Sequence, residues 1–174
     1  AITAEVGREN DFNSKVIFGK HTDPAKDGKG QNITNMGMLS WNRKRAEALQ
    51  AHLKKRGVLD EKGNMIKSQA ALDAQAEYSV MEMKGDYAGK MQHFLNNPNA
   101  SPESFAKEVG KNYVGWAYGQ STIKGSNGGR VPFDWKAHDS KRKGYLQNTD
   151  KTVQKFNNQA VTATAQKTGT PKST

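Results

Sequence analysis

The stretch Glu5-Val6-Gly7-Arg8-Glu9-Asn10-Asp11-Phe12-Asn13 places two glutamates four residues apart, so both share one face of a helix close to its C-terminal end. The preceding residues 1–4 read as helix already under way, which suggests a piece of a longer protein. A helix end that runs into a loop can lift a carboxyl to the rim of a groove. There Glu9 is the better placed of the two for chemistry, and Glu5 the better placed for structure. Apolar neighbours such as Phe12 and Trp41 would favour the protonated form that a general acid needs.

Outward from this stretch the chain reads as helices joined by long polar loops. Residues 42–56 carry Ala46, Leu49 and Leu53 at helical spacing and stop at Gly57. Residues 68–84 place Leu72, Ala76, Val80 and Met83 on one stripe before Gly85, and residues 87–95 suit a shorter helix. Ser101, Pro102 and Glu103 supply an N-cap, a first-turn proline and a dipole-matched acid, with Phe105 and Val109 turned inward. Residues 135–158 allow a last helix. Residues 23–35 and 121–129 are rich in Gly, Asp, Asn, Ser and Lys and read as surface loops, with room for a short hairpin between residues 14 and 35. The expected fold is mainly α, one domain over residues 1–158, followed by a disordered basic polar tail over 159–174.

Composition removes several classes. The 174 residues include no cysteine, so neither a disulfide framework nor a thiolate metal site can form. No apolar run approaches the roughly 20 residues of a membrane span. His21, His52, His93 and His138 lack metal-ligand spacing, so no metal or other cofactor is expected. The formal net charge is +10, with 17 basic and 14 acidic side chains in residues 1–120 against 10 and 3 in residues 121–174. Such a surface concentrates polyanions without choosing among them. Residues 125–129 lack the form of a phosphate-binding loop, and Lys141-Arg142-Lys143 reads as a solvated face. No motif for specific nucleic-acid recognition is present.

In outline, residues 9–13 resemble the lysozyme-like superfamily, whose goose-type lysozymes, lytic transglycosylases and phage tail lysozymes carry a catalytic Glu followed by Ser, a small residue, Phe and Asn. The next family motif, a Gly, two apolar residues, Gln and often Trp, has its likeness in Gly37-Met38-Leu39-Ser40-Trp41, with Ser40 in place of the glutamine and Arg45 following as in phage tail lysozymes. Residues 112–118, with Tyr113, Trp116 and Tyr118, resemble the aromatic stretch lining the groove beside the acid. Over residues 1–120 the order of motifs is most similar to cell-wall hydrolase domains of phage tails and of type VI secretion effectors.

This resemblance implies a lysozyme-like helical domain with a muramidase activity on the strand of N-acetylglucosamine and N-acetylmuramic acid. Glu9 would be the general acid and Asp23 the second carboxylate, with His21, Thr22, Ser40, Trp41, Tyr113, Trp116 and Tyr118 as substrate contacts. It further implies delivery to the bacterial periplasm or cell wall, with peptidoglycan glycan strands as partner and room for an immunity protein, while nothing in the sequence pattern demands more than a monomer. A lytic transglycosylase acting on the same bond is the alternative enzyme. A non-catalytic basic module for nucleic acid or cell-wall polyanion is the alternative from another class.

Overall fold

The computed structural model describes residues 1–26, 30–97, 99–125 and 127–167, with side chains described for all of these except 23–26, 93 and 156–167. Helices dominate. Helix α1 spans Ile2–Asn10, α2 Ser14–Ile17, α3 Arg43–Lys55, α4 Gln69–Lys84, α5 Ala88–Leu95, α6 Pro102–Glu108 and α7 Trp135–Lys167, and a π-helical turn, Val109–Val114, continues α6. An antiparallel sheet of order β1-β2-β3 uses Lys20–Lys26, Asn32–Met36 and Trp41–Asn42, and a separate hairpin pairs β4, Thr122–Lys124, with β5, Arg130–Pro132. No helix among the described residues is long and apolar enough to cross a membrane.

Local signals explain most boundaries. Ser68 accepts a hydrogen bond from Ala71 N and caps α4, and Ser101 accepts from Ser104 N and caps α6, whose first residue is Pro102. Residues 121–129 are not simply a loop, because β4 and β5 pair from Thr122↔Pro132 to Lys124↔Arg130. Residues 23–35 likewise belong largely to the β1–β2 hairpin, which carries a register shift between Asp23 and Lys26. The last helix continues to Lys167, past the expected end at 158, and residues 168–174 lie outside the described residues.

The core gathers Leu49 and Leu53 of α3, Ala71, Ala74 and Met83 of α4, Met91 of α5, Val109, and Met36, Met38, Leu39 and Trp41 from the sheet and its turn. On α4 the buried face differs from the apolar stripe. Ala76 and Val80 are exposed, while Gln75, Tyr78, Ser79 and Glu82 point inward. Polar groups win those positions because each finds a partner there. Gln75 Oε1 accepts from Met38 N at 2.8 Å, and Ser79 Oγ donates to Ala76 O at 2.7 Å. Glu82 accepts from Trp41 Nε1, Tyr113 Oη, Tyr78 Oη and Arg45.

A smaller cluster of Ala4, Ala106 and Leu146 packs α7 against α1 and α6. Arg142 corrects the reading of its basic run as solvated. It is 0% exposed, and its guanidinium donates to Asp139 Oδ1 at 2.6 Å and Glu103 Oε1 at 2.8 Å. The sequence of α7 thus hides one cation to lock α6 and α7 together, while Lys143 pairs with Asp139 from an exposed position.

Candidate active site

Helix α1 ends abruptly. Asp11 and Phe12 both take the left-handed conformation, with φ of 53° and 57°, although neither is a glycine. Contacts from α7 hold that turn: Tyr145 Oη donates to Asp11 Oδ1 at 2.7 Å, and Lys141 Nζ donates to Asp11 Oδ2 at 2.8 Å. The Asp11 carboxyl lies below the usual carboxylate range because of these two hydrogen bonds. Gly7 lets α7 come this close, since a methyl group there would overlap the Tyr145 ring. On the other side, Asn10 Nδ2 donates to Met38 O at 2.9 Å and so ties α1 to the turn before β3.

Just before this turn stand the two glutamates, and they share one arginine. Arg8 Nε donates to Glu5 Oε2 at 2.7 Å and Arg8 Nη2 to Glu9 Oε2 at 2.7 Å. Glu5 is 0% exposed, and its other oxygen, Oε1, is buried without a partner. Burial pushes the Glu5 carboxyl up despite the opposing field of Arg8. The side chain of Glu9 keeps 27% of its surface open, so of the pair only Glu9 can meet a ligand.

Across Arg8 lies an aromatic group. The guanidinium stacks 4.8 Å from the centre of the Trp116 ring, which meets Tyr118 edge-on at 5.1 Å, and Tyr118 in turn meets Trp135 at 5.2 Å. His138 stacks on Phe133 at 4.8 Å and lies 6.2 Å from Trp116. Gly110 makes room for this arrangement: a methyl group there would overlap both Trp116 Nε1 and Glu5 Oε1. The π-helical turn before Trp116 displaces the chain from a regular helix and sends it back over α1.

The residues expected from sequence divide into groups. Glu9, Trp116 and Tyr118 come together, with both aromatic rings half-buried. His21 and Ser40 also meet, Ser40 Oγ lying 3.3 Å from His21 Nε2, with Ser40 held at a φ of 55°. Thr22 is exposed on β1 opposite Thr34, and Asp23 pairs in backbone register with Ile33, its side chain lying outside the described residues.

Trp41 and Tyr113 correct the sequence reading. Each is 1% exposed and donates to Glu82 Oε2, at 2.8 and 2.6 Å, so they anchor the core and offer no face to a sugar ring. Phe12 is exposed and packs edge-on against Tyr145 at 5.2 Å, while Trp41 packs on Tyr78 at 5.6 Å. Trp41 is therefore taken up by the core rather than by Glu9, and Phe12 by the clamp from α7.

Phe133, Trp135 and His138 escaped the sequence reading because they follow a loop and open a polar helix, where no periodic pattern marks them. The one available signal was their clustering within six residues. A groove of about 670 Å³ between β2 and α3, with Lys20, Thr34, Met36, Arg43 and Glu47 among its walls, contains none of the expected site residues. Among the described residues no group of three or more His, Asp or Glu could hold a metal ion. Comparison with protein-family models, with curated proteins and with solved structures finds no match for the chain.

Proposed function

We propose that the protein cleaves the glycan strand of peptidoglycan as a muramidase, with Glu9 as the general acid. The observation that carries this reading is a partly open carboxyl at the end of α1, held by Arg8, which is itself stacked on Trp116. A glycosidic oxygen needs a proton as its bond breaks, and a carboxyl at the rim of an aromatic-walled surface can supply it. Glu9 reaches solvent yet is fixed in orientation by the 2.7 Å contact with Arg8. Sugar rings settling on the aromatic side would displace water from around that carboxyl.

Trp116 and Tyr118 provide the apolar faces on which pyranose rings pack. The hairpin carries the remaining proposed polar contacts, the His21–Ser40 pair and Thr22. Asp23, two residues beyond His21 on β1, is the proposed second carboxylate that activates water. The strongly basic chain, +10 overall, suits a cell wall rich in carboxylate and phosphate. Its site of action would be the bacterial periplasm or cell wall.

Digestion of purified peptidoglycan by the native protein and by Glu9→Gln, with fragments identified by mass spectrometry, tests the reading. Reducing-end muropeptides from the native protein, and at least a hundredfold fewer from Glu9→Gln, are expected. Products ending in a 1,6-anhydro ring would reassign the chemistry to a lytic transglycosylase. Intact sacculi with both proteins would remove the enzyme reading and leave a basic binding module.

A further inference from the structure

We propose that Tyr118, Phe133, Trp135 and His138 extend the surface at Trp116 into a separate subsite for N-acetylated, carboxylate-bearing amino-sugar rings. It would bind the strand on one side of the bond cut at Glu9, and it rests on the glycan reading above. The four residues come from three separate parts of the chain. Tyr118 follows the π-helical turn, Phe133 follows β5, and Trp135 and His138 lie in the first turns of α7. Their rings nevertheless form one continuous row from Trp116, at 5.1 Å to Tyr118 and 5.2 Å onward to Trp135, with Phe133 and His138 stacked beside it.

Each ring in the row is half-buried. The core rings Trp41 and Tyr113, by contrast, are 1% exposed. Rings that pack on one another and still keep open surface are what the apolar faces of pyranoses require. Tyr118 acts as the keystone, because Lys107 Nζ already stands 5.1 Å over its ring. Arg8 likewise covers one face of Trp116, so among the described residues Trp135 is the tryptophan of the row with no cation stacked on it and carries the sugar most directly, beside the half-buried Trp116 and Tyr118.

The polar surroundings narrow the ligand. Lys107 borders the row over Tyr118 and complements a sugar carrying a carboxylate, whereas Arg8, over Trp116, is already engaged by Glu5 and Glu9. Desolvation, together with Arg8 and Lys141, holds His138 below the usual histidine range, although Glu9 and Asp134 pull the other way, so the row's own titratable ring favours its neutral form. His138 Nδ1 is buried with no partner. A neutral imidazole can both donate and accept, which matches the hydroxyl and acetamido groups of an amino sugar.

The protein contains three tryptophans, and they provide their own control. Glu9→Gln is titrated with a tetrasaccharide of alternating N-acetylglucosamine and N-acetylmuramic acid while the indole N–H resonances are followed by NMR. Those of Trp116 and Trp135 are expected to move saturably and that of buried Trp41 to stay. Trp135→Ala should weaken binding about three- to tenfold, and chitotetraose, which lacks the carboxylate, should bind several-fold more weakly than the muramic-acid tetrasaccharide. An unmoved Trp135 resonance overturns the subsite, as does equal affinity in Trp135→Ala or equal affinity for chitotetraose. The two readings fail separately. Cleavage that depends on Glu9 with Trp135 unmoved keeps the enzyme and removes the subsite, whereas a saturable Trp135 shift in a protein that cuts no glycan does the reverse.

Discussion

The indole N–H of Trp41 donates to Glu82 at 2.8 Å in a region where both residues are almost fully enclosed, and this bond makes a carboxylate the hub of the core. Arg45 closes a two-pronged pair on the same carboxylate with both contacts at 2.8 Å, and Tyr113 Oη adds a contact of 2.6 Å. Tyr78 Oη completes the set at 3.1 Å. One side chain on α4 thereby fixes β3, α3 and the π-helical turn. Removing it would strand several donors and a cation together.

Glu82→Ala is accordingly expected to cost about 3–5 kcal/mol, a drop of roughly 6–20 °C in Tm. Burial alone would raise the Glu82 carboxyl, but hydrogen bonds from Arg45, Tyr113 and Trp41 outweigh it and hold the group below the usual glutamate range. A carboxyl depressed in the folded state stabilises the fold above its unfolded value, and that contribution fades as pH falls through the folded one. Thermal melts between pH 7 and 3 should therefore show the native protein losing stability on acidification while Glu82→Ala loses less. Parallel curves for the two would refute the assignment.

Glu5 predicts the opposite sign. Burial raises its carboxyl, so its protonated form suits the fold, and its contribution is complete below the unfolded value and lost as pH rises through the folded one. Glu5→Gln should therefore gain stability over the native protein as pH rises. Arg8→Met, which leaves the buried carboxylate without its cation, should cost about 3–5 kcal/mol near pH 7 and much less near pH 4. Denaturant unfolding at both pH values gives the comparison, and in the double variant the two changes should combine less than additively. An Arg8→Met penalty that stays the same at both pH values would contradict this account.

Residues whose neighbours are local could be placed from sequence, and residues whose neighbours come from afar could not. Ser68 and Ser101 declared the starts of α4 and α6 because a cap bonds within three residues. Glu9 was legible as a helix-end carboxyl, because the stretch before Asp11 reads as helix. The apolar stripe Leu72, Ala76, Val80 and Met83 leaves out Gln75, Ser79 and Glu82, and only the fold supplies the Met38, Trp41 and Tyr113 groups that bring Gln75 and Glu82 inside. Arg142 misled in the same way, its partner Glu103 lying 39 residues away. Trp41 and Tyr113 could have been platform or core on composition alone, and the Glu82 carboxylate decides for core.

Arg142 allows a further check on the α6–α7 junction. Its guanidinium is 0% exposed and spans Asp139 and Glu103. Burial would raise the Asp139 carboxyl, but hydrogen bonds from Lys143 and Arg142 hold it below the usual range. Arg142→Met is expected to destabilise by about 1–3 kcal/mol because it removes the fork joining Asp139 to Glu103 and leaves the enclosed Asp139 with Lys143 alone. Arg142→Lys should recover only part of that, since an ammonium cannot reach two carboxylates in fork geometry. Equal stability of the lysine variant and the native protein would show that the fork is not what matters.

The contact of Gly7 with Tyr145 links stability to the proposed chemistry. On a regular helix, replacing glycine with alanine stabilises by about 0.5–1 kcal/mol. Here the added methyl would overlap the Tyr145 ring, so Gly7→Ala must push α7 away from α1, and overpacking of this kind costs about 1–3 kcal/mol. The same displacement would loosen the Tyr145 and Lys141 hydrogen bonds that hold Asp11 in its left-handed turn, two residues after Glu9. Gly7→Ala should therefore lower both Tm and the rate of glycan cleavage. Tyr145→Ala opens the space that the methyl needs, so adding it to Gly7→Ala should restore helix packing while leaving Asp11 only the Lys141 half of its clamp. In the double variant Tm should recover relative to Gly7→Ala and cleavage should stay low. Recovery of both together would mean that packing between α1 and α7 supports Glu9 directly and that the hydrogen bonds to Asp11 are incidental.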